Sequence, residues 1–143
     1  MTGTTAKRLA EVVKECIVNN ELHVHEEGVD EDNDTYFDFL FTGARGNQLH
    51  SRLIIRAEQI IVVTQLPFKI STSAKPAMLS TIHEINASLA VGAFTTDAGH
   101  VAFRSGFNLT PKATVTPDCI FMTLLSNVEI ADQFLPTFLR MLK

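Results

Sequence analysis

Residues 35–42, TYFDFLFT, alternate with a period of two. Phe37, Phe39 and Phe41 fall on one side and Tyr36, Asp38 and Leu40 on the other, so a strand built here must bury three rings under a second layer. The turn Gly43-Ala44-Arg45-Gly46-Asn47 follows, and the run from Gln48 to Arg56 predicts the partner strand of a hairpin. With Thr42 opposite Gln48, Phe37 faces Leu53, Phe41 faces Leu49 and Asp38 faces Arg52. Apolar side chains then meet apolar ones and opposite charges meet. A third run, Gln59 to Leu66, aligns Ile60 with Ile55 and Val62 with Leu53 and extends the same core face. Its other side carries Ile61 and Val63, which predicts cover on both faces. Pro67 is expected to stop this strand.

Helices flank these strands. Leu9, Val12, Val13, Cys16 and Ile17 make one apolar stripe over residues 5–19, with Thr4 or Thr5 as cap and Asn19-Asn20 as the end. Leu22 to Glu26 reads as a short strand, and the loop 28–34 follows it. Beyond Pro67, Ser71 or Ser73 can cap a helix with Pro76 in its first turn and Met78, Ile82, Ile85 and Leu89 along its apolar side. A hairpin over 93–107 turns at Asp97-Ala98-Gly99. Thr116-Pro117-Asp118 combines a cap, a proline at the first helical position and an acid at the positive end of the dipole. The last helix then runs towards Lys143, and Pro136 is expected to kink it near Asp132 or split it. Strand runs separated by helices predict an α+β domain over residues 1–143, an antiparallel sheet with helices packed on it.

Composition narrows the function classes. Hydrophobic residues are 45% and charged residues 20%, the balance of a chain that folds around a core. Ten Phe against one Tyr and no Trp predict core rings that need no hydrogen-bond partner. A net charge of −4 argues against nucleic acid, which requires a basic face. No apolar run has the length of a membrane span, and no secretory signal is evident. The two cysteines, Cys16 and Cys119, are expected to be buried free thiols of a reducing cytoplasm. Eight acidic residues and no Lys or Arg lie between Glu21 and Asp38.

No chemistry-bearing constellation follows from spacing. His23 and His25 share one side of the expected first strand, and a zinc ion there would need His50, His100 or nearby acids, none at a fixed spacing. Asp30, Asp32 and Asp34 imitate the start of a calcium loop, but Thr35 stands where the sharp turn wants Gly and Phe41 where a bidentate Glu belongs. Cys119, in a first helical turn, is the better placed thiol for reactivity. His83 and Glu84 are adjacent on a helix and do not face each other. Arg45, Arg52, Arg56 and Lys69 are candidates for a small basic patch, with Arg52 neutralised by Asp38. No G-x-S-x-G, phosphate loop, H-E-x-x-H or spaced cysteine cluster is present. Accordingly no catalytic, cofactor-binding or metal-binding residue is assigned.

The most distinctive stretch is Ile85 to Leu109. Asn86 sits on a mainly apolar helix, expected to bond a neighbouring backbone group. Gly92 is expected to end the helix and Gly99 to take the left-handed position of the hairpin turn. With Leu89, Phe94, Phe103-Arg104 and the closing stretch Pro117–Met141, including Asp132 and Pro136, these positions resemble the YbjN-domain family of bacterial proteins. The resemblance implies the fold of the type III secretion chaperones, a homodimer, and a surface that recognises another protein. It brings no site residues, and the secretion role is not carried over. The expectation is a non-catalytic, cytoplasmic protein-binding module without cofactor, chaperone-like or signalling-regulatory. The alternative is a small-ligand sensor with a pocket between sheet and helix. The two-fold interface is expected at helix 74–90 and strands 93–107, where the helix shows Ala77, Ser80, Thr81 and Ser88 and the hairpin carries few charges.

Overall fold

The computed structural model describes residues 2–109 and 115–142, with the side chains of 2–6 outside that description. The three phenylalanines of the alternating run lie in β2 (Thr35–Thr42), which pairs antiparallel with β3 (Gln48–Arg56). The register is the expected one, with Phe37 opposite Leu53, Asp38 opposite Arg52 and Phe41 opposite Leu49. β4 (Gln59–Lys69) continues it, with Ile60 against Ile55 and Val62 against Leu53. β5 (Ala93–Asp97) and β6 (His100–Asn108) form the second hairpin, and β6 joins the sheet against β4. With β1 (Glu26–Val29) on the far edge, the order is β1-β2-β3-β4-β6-β5. The helices are α1 (Thr2–Asn19), α2 (Lys75–Ser88) and α3 (Pro117–Arg140).

Several local expectations hold for the reasons given. Asn20 donates its side-chain amide to the Cys16 carbonyl at 2.9 Å and closes α1. Thr116 caps α3 by accepting from the Cys119 N–H at 3.2 Å, with Pro117 next and Asp118 in the first turn. Ala98 and Gly99 have φ of 50° and 81°, the two left-handed residues that a tight hairpin turn requires.

Other expectations are corrected. The first strand is Glu26–Val29, not Leu22 to Glu26, because Asp30 Oδ1 accepts from the N–H groups of Asp32 and Asp34, both at 2.9 Å. That closed turn lets pairing run right up to Val29 opposite Thr35, while Leu22 and Val24 pack beside the core. α1 begins at Thr2, ahead of the cap expected at Thr4 or Thr5, whose side chains lie outside the described residues. Pro67 does not stop β4. The strand continues to Lys69 and the proline is absorbed in a register shift, Gln65 pairing with Ala102 but Lys69 with His100. α2 starts from Ala74 without a side-chain cap, although Ser71 Oγ accepts from the Ala74 N–H at 3.3 Å. The helix ends at Ser88, so Gly92 does not terminate it; Gly92, φ 78°, instead lies against Phe103 and Arg104. α3 is one helix through Pro136, not two, with the proline leaving the Asp132 carbonyl without its usual N–H.

The core lies between one sheet face and the helices, in two clusters. The first joins Leu9, Val13 and Cys16 of α1 to Phe37, Phe39, Leu53, Ile55, Ile60, Val62, Ile120 and Leu124. The second joins Met78 and Ile82 of α2 to Leu49, Leu66, Phe94, Val101, Phe103, Leu135 and Phe138. Phe41 touches both. Between them runs a polar row: Ser51 on β3, Thr64 on β4 and Asn127 on α3, each buried.

Candidate functional site

The sheet face away from the core carries the charged groups. Asp38 is 0% exposed and accepts two bonds from Arg52, Nε to Oδ1 at 2.7 Å and Nη2 to Oδ2 at 2.9 Å. The Arg52 guanidinium also lies 4.0 Å above the Tyr36 ring. His50 Nε2 is 3.3 Å from Asp38 Oδ2, and the His25 ring meets His50 edge-on at 6.4 Å between centroids. Tyr36 donates to Glu26 at 3.1 Å. That bond, ahead of desolvation, pushes the phenol upward, and the bond to Asp38 likewise holds Arg52 charged. A shallow cleft of about 310 Å³ lies beside this cluster, among His50, Arg52, Ile54, Val63 and Gln65. Asp38 and Arg52 satisfy each other, while the buried His50 Nε2 has no hydrogen-bond partner among the described residues. Of the expected second cover on β4, Ile61 is buried but Val63 only half-buried.

The sequence-predicted site residues do not converge. Of the four histidines weighed for zinc, His25 and His50 meet; His100 Nδ1 lies 3.3 Å from the Ala98 carbonyl on the other hairpin. Among the described residues, Asp30, Asp32 and Asp34 form the one group whose ligand atoms lie within 4.8 Å of each other. Arg56 offsets part of their charge, its Nε donating to Asp34 at 2.8 Å and its Nη2 lying 3.7 Å from Asp32. Arg52 and Arg56 are thus held by acids, and Arg45 sits in the turn at the other end of β3, so the four cations do not assemble. Cys16 is buried, and burial pushes its thiol up. Cys119 is exposed, against the expectation of burial, because the first turn of α3 lies at the surface. His83 and Glu84 are both exposed on α2.

The polar row in the core was not anticipated. Asn127 accepts from Thr64 Oγ1 and donates to the carbonyls of Val62 at 3.0 Å and Phe103 at 3.2 Å and to Ser105 Oγ at 2.8 Å. Thr64 and Ser51 share a bond of 2.7 Å. The available signal was a polar residue on the apolar side of each of three elements.

The β5–β6 end of the sheet is partly closed by a side chain and partly uncovered among the described residues. Asn86 reaches from α2 to the outer edge of β5, where its Oδ1 accepts from the Phe94 N–H at 2.7 Å and its Nδ2 donates to the Phe94 carbonyl at 2.9 Å. One side-chain amide thereby occupies the place of a neighbouring strand, as expected of a backbone-bonding Asn86. β5 covers β6 only as far as Ala93 opposite Arg104, and among the described residues the rest of β6 has no partner on that side. A cleft of about 430 Å³ flanks this stretch on the outer face, among Ile61, Gly92, Arg104 and Gly106. A second, of about 340 Å³, flanks it on the helix side, among Val91, Phe103, Phe107, Met122 and Ile130. α2 has just two buried residues, Met78 and Ile82, and Leu79 is 43% exposed.

A family profile for YbjN, described as "Putative bacterial sensory transduction regulator", matches residues 10–140. The crystal structure of YbjN from E. coli superposes with a TM-score of 0.65 at 10% identity, covering 92% of each chain. The ExsC–ExsE complex gives 0.60 at 14% identity, covering 92% of this chain and 93% of the other. The Yersinia pestis type III secretion chaperone SycH, solved with a stable fragment of YscM2, gives 0.51 at 17% identity, covering 85% and 94%. No curated protein sequence matches this chain. At these identities the structural likeness describes the fold, an antiparallel α+β sheet with three helices.

Proposed function

The chain belongs to the YbjN family and has the fold of the type III secretion chaperones, and from this we propose that it is a non-catalytic protein-binding module, chaperone-like or regulatory, acting as a homodimer in the cytoplasm. The observation that carries the reading is the contrast between the satisfied charges and the unsatisfied surfaces. Asp38, Arg52, Arg56, Asp34 and Asn127 are already bonded to one another or to backbone. The incompletely covered features are α2 and the end of β6, both suited to another chain. ExsC and SycH, which share the fold, were each solved with a protein partner.

The small-ligand reading rests on the helix-side cleft. Its best polar group, Asn127, already makes four hydrogen bonds, so a ligand would have to displace bonds within the core. No helix among the described residues is long and apolar enough to cross a membrane.

Affinity capture from the native cell, followed by reconstitution of the recovered protein with the purified chain, tests the proposal. A stoichiometric complex is expected, and Cys119→Ala and His83→Ala protein should form it unchanged. Failure to reconstitute any partner, together with loss of cellular function in stably folded Cys119→Ala protein, would overturn the reading.

A further inference from the structure

We propose that the outer-face cleft of about 430 Å³ beside Arg104 binds a small amphipathic monocarboxylate, the guanidinium holding the acid group and Ile61 and Ala93 the apolar body. The site goes beyond the protein-binding reading and does not depend on it.

The cation comes first. Three arginines stand along the outer face of the strands, and two are held by acids. Arg52 gives Nε and Nη2 to Asp38, and Arg56 gives Nε to Asp34. Arg104 is exposed and has no ion pair among the described residues. The register explains the difference. Its neighbours across the ladder are Val63 on β4 and Ala93 on β5, neither of them charged. On its own hairpin Asp97 sits opposite His100, four residues along the strand, or about 13 Å away. On its own row Asp38 is three strands distant, about 14 Å, and Arg52 occupies it. A guanidinium without an acid offers a planar pair of N–H donors that matches one carboxylate.

The hollow beside it is kept open by the backbone. At Gly92, φ 78°, an added Cβ would fall 2.6 Å from Phe103 Cζ and 2.8 Å from the Arg104 carbonyl oxygen. At Gly106 an added Cβ would strike the Ile60 carbonyl oxygen. Both glycines line the cleft, and neither position accepts a side chain that could fill it.

The remaining lining agrees with an acid that carries an apolar body. Asn108 Oδ1 accepts from Gln59 Nε2 at 2.6 Å, which leaves the Asn108 amide its own N–H groups to donate. Thr95 adds a hydroxyl, and Ile61 and Ala93 add apolar surface. One cation with neutral donors suits a single negative charge. A second charge, as on a phosphate monoester, would find no cation to meet it there, in a chain whose net charge is already −4.

The test uses ¹⁵N-labelled full-length protein titrated with sodium benzoate or with benzamide, its neutral isostere, at fixed ionic strength. Benzoate should shift the amide signals of Gly92, Thr95, Gly106 and Asn108 saturably, with a Kd in the millimolar range of a small ligand in an open cleft. Benzamide should bind about tenfold more weakly, a difference of about 1.4 kcal/mol. Arg104→Gln, at an exposed position, should erase that preference and leave the spectrum elsewhere in place. Three outcomes overturn the proposal. Benzoate gives no saturable shift at these residues in folded parent protein. The parent binds benzoate and benzamide alike. Or the preference survives in Arg104→Gln protein. If benzoate shifts nothing and Arg104→Gln protein loses the partner recovered from the cell, the arginine belongs to a protein interface, so the protein-binding reading stands and this site falls. If benzoate binds as expected and no partner can be reconstituted, the site stands and the protein-binding reading falls.

Discussion

At position 127 an amide makes four hydrogen bonds within a mainly apolar interior. Removing it leaves the Thr64 hydroxyl, Ser105 and two strand carbonyls to rearrange, and each buried group left unpaired costs about 1–3 kcal/mol. Asn127→Ala should therefore lose about 2–4 kcal/mol in urea unfolding, with a smaller loss for Ser105→Ala, whose side chain supplies one bond of the network. Tyr36 permits a second measurement at this scale, because it is the sole tyrosine in a chain without tryptophan. Its hydroxyl donates to Glu26, which raises the phenol above its ordinary value of 10.0. A raised folded-state value favours the protonated form in the fold, so this stabilisation is full below pH 10 and is lost as pH rises through the folded value. Absorbance at 295 nm should show the phenolate appearing later than in free tyrosine, and Glu26→Gln should bring the transition down. An unchanged transition in that variant would rule out the Glu26 bond as the cause.

At the scale of elements, the turn joining β2 and β3 is tied to α3 through one residue. Asp132 Oδ2 accepts from the Ala44 N–H at 2.9 Å, and a Cβ on Gly43 would lie 2.1 Å from Asp132 Oδ1. The glycine is there for space, since its φ is not in the left-handed region. Gly43→Ala should destabilise by about 1–3 kcal/mol, the usual cost of forcing extra volume into a closed contact. Asp132→Ala made alongside it should recover part of the loss, measured as the coupling in a double-mutant cycle. The same elements show what was readable beforehand. The β2–β3–β4 register followed from three rings, two turns and one charge pair, because a slip of one residue would have inverted every side chain. Gly99 of the second hairpin turn and the Thr116 cap were readable because turn and cap geometries admit few residue types. The Glu26–Val29 strand was not, since its residues are mainly exposed and its position is set by the Asp30 turn instead. Nor was the passage of β4 beyond Pro67, which depends on how β6 shifts to receive it. The open end of β6 depends on where β5 leaves the sheet, a fact of tertiary structure. Asn86, the few charges on 93–107 and the small residues of the preceding helix pointed to that region but not to where β5 leaves the sheet.

At the scale of the whole molecule, α2 is the helix least supported by its own chain. Met78 and Ile82 hold it, while Leu79 and the small residues Ala77, Ser80 and Ser88 are exposed. A two-fold contact through α2 and the β5–β6 hairpin would complete it, burying upwards of about 1,000 Å². Sedimentation at micromolar concentration should then report twice 15.8 kDa, and Leu79→Asp should return the chain mass. A single chain mass for the parent protein would remove the dimer from the proposal. α3, by contrast, belongs to everything. Ile120 and Leu124 enter one cluster, Leu135 and Phe138 the other, Asn127 bonds the row between them, and Asp132 holds the far turn. On the ribosome this helix is made after the whole sheet it completes. Until it clears the exit tunnel, two half-cores of phenylalanine and aliphatic side chains stand open at once. Folding of the nascent chain must therefore wait and then finish in one late step, and the interval of greatest exposure to aggregation and proteolysis is the one just before residue 140 emerges.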